Sequence, residues 1–157
     1  MKANETKVDK FLATNETTFA IPVYQRNYDW TLFQCKQLLH DIIETGKNDK
    51  TNAHFIGSIV YVHDDVYTAS GLTELTIIDG QQRLTTITLI YIALYRLAKE
   101  LDNQMLVNRI QKTYLINEFA PEEEKLKLKP TENNKEALRH ILNSTDGEEF
   151  KGYSKII

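Results

Sequence analysis

The sequence predicts an α+β fold, and three observations carry the prediction. Short β-favouring runs stand apart in the first half, a long apolar helical pattern follows them, and the remainder is mostly helical. The order strand–helix–strand–strand–helix, then helix, sets helices beside a small sheet instead of alternating them with parallel strands.

TTFAIPV, from Thr17 to Val23, alternates Phe19, Ile21 and Val23 with the period of a strand. Pro22 cannot donate to a ladder, so it belongs at an edge or a strand end. YQRNYDW mixes polar and aromatic residues and reads as a shaped loop. Thr31 suits the N-cap of a helix running to Thr45, with Leu32, Cys35, Leu39 and Ile42 as its core stripe and Gly46 as its stop. GKNDKTNA is a solvated loop. HFIGSIVYV, from His54 to Val62, reads as a buried strand in which Gly57 marks a bulge or a close approach.

Beyond the polar connector HDDVYTASGLT, the strand Leu75 to Asp79 is expected to pair with its predecessor as a hairpin. The next helix carries Leu84, Ile87, Tyr91, Leu94, Ala98 and Leu101 at helical spacing, and Leu89, Ile90, Ile92 and Ala93 make its other sides apolar. It is therefore expected at the centre of the core. A further helix spans Gln104 to Phe119 and stops near Pro121; KLKLKP is extended, and NNKEALRHILN is a small amphipathic helix. FKGYSKII ends on two isoleucines without a closing element, which suggests a piece of a longer protein.

The chain has 157 residues, 41% hydrophobic and 26% charged, enough for one domain with a real core. A net charge of −3 gives no global basic field, so any phosphate contact must be local. Cys35 is the lone cysteine and excludes an internal disulfide. No signal-peptide core is present, and the most apolar window, Ile87 to Tyr95, is too short to cross a membrane. A cytoplasmic protein without membrane contact is expected.

Two segments carry candidate chemistry. In DGQQRLTT, Asp79-Gly80 permits a sharp turn out of the strand, because glycine tolerates backbone angles that a side chain forbids. The amides of Gln81, Gln82 and Arg83 then fall in a first helical turn, whose N–H groups lack partners and attract anions. Arg83 adds a fork suited to phosphate, Asp79 a carboxylate for Mg²⁺, and Gln81 or Gln82 a group able to orient water. On spacing alone the segment reads more readily as a capped turn, with Asp79 as N-cap and Arg83 solvated, because such turns are common. In IPVYQRNYDW, Arg26 stands among Tyr24, Tyr28 and Trp30, beside Gln25. It either clamps a phosphate near stacking rings or packs over one ring in a core-plugging loop.

Other signals are weaker. There is no Walker-type loop and no dinucleotide fingerprint. His40, His54, His63 and His140 lack metal-ligand spacing, His63-Asp64-Asp65 reads as solvated loop charge, and Cys35 as a core residue. Glu123-Glu124-Lys125 with Asp102 has no strand to present it as a nuclease site.

The segments IPVYQRNYDW, HFIGSIV and IIDGQQRLTT, in that order before a long apolar helix, resemble the GmrS/GmrD-type N-terminal domain. This is a ParB-like domain of modification-dependent restriction and phage-defence proteins. The likeness runs from Phe11 to about Leu101. It implies a ParB/sulfiredoxin-like sheet packed with helices over residues 1–101, then the start of a helical region over 102–157. It also implies binding and hydrolysis of a nucleoside triphosphate with Mg²⁺, with Asp79, Gln81, Gln82 and Arg83 catalytic and Asp79 the metal ligand. Tyr24, Gln25, Arg26, His54, Gly57, Ser58, Gly80, Arg83 and Thr85 would line the nucleotide site. Members continue into a C-terminal nuclease domain and reach DNA through the full-length protein; no such nuclease motif occurs in these residues. The alternative is a non-catalytic module sensing a DNA phosphate or modified base.

Overall fold

The computed structural model describes residues 3–50, 53–63, 71–144 and 148–152, the side chains of Glu123 and Asn133 excepted. It has the expected α+β architecture, with a four-stranded sheet packed by helices. The elements in chain order are α1 (Val8–Leu12), β1 (Thr17–Ala20), α2 (Leu32–Lys47), β2 (Val60–His63), β3 (Thr73–Asp79), α3 (Gln81–Glu100), α4 (Gln104–Ile110), β4 (Leu128–Lys129) and α5 (Glu132–Asn143). A π-helical turn over Gln111–Leu115 follows α4 directly, and a short 3-10 turn spans Glu122–Glu124.

The sheet order is β2-β3-β1-β4. The expected hairpin is present: β2 runs antiparallel to β3, with Tyr61 opposite Ile77. β1 lies inside the sheet, parallel to β3 on one side and to β4 on the other, so Phe19 stands opposite both Leu75 and Leu128. Backbone N–H groups of Phe19 and Ile21 donate to the Lys127 and Lys129 carbonyls at 2.7 and 2.8 Å. β1 ends at Ala20, before Pro22, as a residue with no N–H requires, and Val23 is exposed.

α3 is the core helix expected from its pattern. Leu84 and Ile92 are fully buried against Phe19, Ile77 and Leu138. Its stripe drifts along its length. Ala98 is buried as expected, but Leu94 and Leu101 are exposed and Tyr95 takes an inward position, where α4 packs on α3.

Four expectations are corrected. The segment His54–Val62 is not a buried strand: only residues from Val60 onward pair, β2 is an exposed edge, and His54 to Ile59 run as a loop. The reason is Gly57, whose φ of 103° breaks the extended path. On α2 the Thr31 cap is correct: its backbone N–H and hydroxyl donate to Gln34 Oε1. The chosen stripe is wrong, however. Leu38 is the buried residue, whereas Leu32, Leu39 and Ile42 are exposed. Gly46 does not stop the helix, which runs to Lys47. The helix expected to reach Phe119 ends with the π turn at Leu115. α1 had no strong periodic signal, being a single turn and a half.

Lys127 lies just before β4 and is 2% exposed. Its Nζ donates to the carbonyls of Leu12 at 3.1 Å, Thr14 at 3.0 Å and Thr113 at 2.7 Å, tying α1 and the π turn to the sheet. Burial pushes its ammonium down to about 8. The expected pair Asp64-Asp65, and the terminal stretch from residue 153 on, lie outside the described residues.

Candidate functional site

The turn from β3 into α3 is built around Gly80. Its φ of 91° is left-handed, and a Cβ there would meet the Ser58 carbonyl at 3.0 Å and Ile59 Cα at 3.2 Å. Glycine is therefore demanded twice, by angle and by space. Gly80 offers no side chain to cap α3, so the first-turn amides of Gln81, Gln82 and Arg83 retain their donor capacity toward an anion. Asp79, exposed at the end of β3, does not serve as the cap.

Arg83 is locked in place from below. Its Nη1 donates to the Ser58 carbonyl at 2.7 Å. A Cβ on Gly57 would come within 2.1 Å of that same nitrogen, so the guanidinium rests directly on the glycine backbone. A guanidinium has five donors, and this seat leaves the fork capacity for an oxyanion.

Gln81 and Gln82 are both buried, and their amides hold the preceding loop. Gln81 Nε2 donates to the Arg26 carbonyl at 3.3 Å. Gln82 Nε2 donates to the Asn27 carbonyl at 3.1 Å, and its Oε1 accepts from the Asp29 amide at 3.0 Å. From other sides, Gln25 Nε2 donates to the Ile78 carbonyl at 3.0 Å and the Thr131 hydroxyl to Asn27 Oδ1 at 2.8 Å. Tyr28 completes the joint: its hydroxyl lies 2.9 Å from Thr86 Oγ1 and 3.0 Å from Cys35 Sγ, and burial raises its pKa.

A cleft of about 380 Å³ opens beside Arg83. Trp30, Phe33, Leu38 and Asp41 wall it from α2 and the residue before its cap; His54, Phe55 and Ile56 wall it from the loop that carries Gly57. Asp41 accepts from Gln37 at 2.8 Å and stands 3.8 Å from His54 Nε2. Of the residues expected to share one cavity, Arg83 and His54 line this cleft, with Gly57 and Ser58 seating the arginine. Tyr24, Gln25 and Arg26 do not line it; Arg26 is exposed and pairs with Asp29 at 3.1 Å. Thr85 is buried in α3. Phe55 belongs to the HFIGS segment that the resemblance places at the nucleotide, whereas Phe33 and Asp41 were not among the candidates. The signal for Phe33 was an aromatic on the polar side of an amphipathic helix.

The donor set suits a phosphate-bound Mg²⁺ better than a resident ion. Asp79 gives one carboxylate, and among the described residues no three His, Cys, Asp or Glu side chains gather into a cage. Among the same residues no helix is long and apolar enough to cross a membrane.

A family model described as the N-terminal domain of the GmrSD restriction endonuclease matches residues 8–156. The chain belongs to this family. No curated protein matches the sequence at a significant level. The match covers the whole sheet, so β4 and α5 are part of the GmrSD N-terminal domain together with the DGQQR turn.

Proposed function

We propose that this GmrSD-type domain binds a nucleoside triphosphate and hydrolyses it with Mg²⁺, and that it thereby regulates a C-terminal nuclease in a modification-dependent restriction protein. The observation that carries the reading is Arg83: a guanidinium seated on Gly57 and Ser58, at the uncapped start of α3, beside a nucleotide-sized cleft. In this reading Arg83 and the α3 amides take the phosphates, and Asp79 with phosphate oxygens takes Mg²⁺, which supplies charge neutralisation at the transferred group. Gln81 and Gln82 act first as positioning residues. Either can orient water only by exchanging its bond to the 26–29 loop.

The test is a binding and phosphate-release screen of ATP, GTP, CTP and UTP with Mg²⁺, using wild type and Arg83→Ala. The wild type should bind and turn over at least one, and the variant should lose both. Absence of binding by the wild type to all four defeats the proposal.

A second reading has its own observation. Tyr24 and Arg26 stand exposed on a loop held rigid from several sides, an arrangement suited to a DNA phosphate or modified base without turnover. Selective binding of modified duplex, lost in Arg26→Ala and independent of nucleotide, would favour it.

A further inference from the structure

We infer that the cleft beside Arg83 is a nucleobase site, in which Phe33 and Phe55 are the stacking platforms, so that the domain recognises a whole nucleotide and not a polyphosphate alone. The inference rests on the phosphate reading above and extends it to residues outside the DGQQR and YQR segments.

Three observations support it. First, Phe33 is 75% exposed and Phe55 83% exposed, yet both line one cleft. Among the described residues neither ring is in contact with another aromatic ring, although four other ring pairs are, including the stacked Tyr91–Tyr114 pair at 4.2 Å. Two exposed apolar rings that line one cleft from different segments offer a surface that a flat aromatic ligand can cover. Second, the rings are presented from firm supports. Phe33 is in the first turn of α2, one residue from Gln34, whose side chain closes the Thr31 capping box. Phe55 sits two residues before Gly57, where the chain is held by the Arg83–Ser58 bond. Third, the cleft is chemically divided. Arg83 contributes its cation, and Gln34, Gln37, Asp41 and His54 add polar groups able to meet a base edge, whereas Trp30, Phe33, Leu38, Phe55 and Ile56 supply apolar wall. A nucleotide has the same division, an anionic end and a flat aromatic end. Base–aromatic stacking tolerates any base, because every base has a π-face.

The experiment measures affinities of the intact protein for a nucleoside triphosphate and for inorganic triphosphate, each with Mg²⁺, in wild type, Phe33→Ala, Phe55→Ala, Phe33→Tyr and Arg83→Ala. Because both rings are exposed, the substitutions should leave the melting temperature unchanged. Each alanine variant should weaken the nucleoside triphosphate by roughly ten-fold or more, Phe33→Tyr should retain it, and inorganic triphosphate should be unaffected by all three. Arg83→Ala should weaken both ligands. If the wild type binds nucleotide and inorganic triphosphate equally, and the phenylalanine variants change nothing, the base site is refuted while the phosphate reading stands. If neither ligand binds the wild type, both fail. A single-stranded DNA oligonucleotide serves as the third probe. Binding that depends on Phe33 and Phe55 but that nucleotide does not displace would assign the platforms to a DNA base and overturn the free-nucleotide site.

Discussion

Gly57 and Gly80 are constrained by different neighbours, and the difference can be measured. Gly57 meets a flexible side chain, so Gly57→Ala should push the Arg83 guanidinium off its seat, in addition to the backbone strain that its φ of 103° imposes on any side chain. Its expected signature is a loss of nucleotide affinity close to that of Arg83→Ala, measured by titration. Gly80 meets backbone, at Ser58 and Ile59, in a left-handed conformation. Gly80→Ala should therefore act on the fold, at about 1–3 kcal/mol, which lowers the melting temperature by several degrees for a domain of this size. Both glycines were legible in the sequence, one as a turn and the other as a close approach. What approaches Gly57 was not legible, because Arg83 lies 26 positions downstream and local pattern holds no information about tertiary partners. The same limit applied to Gln81 and Gln82. Their residue type suggested water chemistry, whereas their burial and partners set them to hold a loop.

At the scale of elements, the loop from Gln25 to Asp29 depends on α3 more than on its own sequence. Gln82→Ala removes two hydrogen bonds and leaves the Asn27 carbonyl and Asp29 amide without that partner. A loss of about 1–3 kcal/mol is expected, together with faster hydrogen exchange at Asp29. If Gln82 also orients water, kcat for phosphate release should fall much further than nucleotide affinity; a positioning role alone moves both together. Element existence was readable from periodicity for α2, α3, α5 and the β2–β3 hairpin. Which face of α2 packs inward was not, since its apolar arc is wider than the contact it makes. Leu38 at one margin is buried while Leu32 is 69% exposed. A hydrophobic stripe identifies a helix, but the tertiary contact it makes decides which edge is used.

For the whole molecule, Lys127 sets a pH dependence whose sign is unusual for a lysine. In the fold its proton leaves near pH 8, but in the unfolded chain it is held to about 10.5. Between those values the unfolded chain binds more protons, so stability rises with pH, by at most roughly 1.4 kcal/mol per unit from this group. Tyr91, raised to about 12 by burial, works in the opposite direction: its contribution is complete below its ordinary value near 10 and is lost only above it. Urea unfolding between pH 8 and 10 therefore isolates the lysine. The slope should be positive in wild type and flatter in Lys127→Met, which will also be less stable at neutral pH because three carbonyls lose their donor.

The placement of β1 between β3 and β4 has a consequence for how the protein comes to be folded. Its far-side partner arrives more than a hundred positions later, and Lys127 joins Leu12 across 115. Until that segment emerges from the ribosome, β1 presents the bare N–H groups of Phe19 and Ile21, an open edge on which another chain can add. Assembly of the sheet must therefore wait on long-range closure, which slows the rate-limiting step. A polypeptide stopped after Leu101 should self-associate during refolding, as light scattering would reveal, where the 157-residue chain does not.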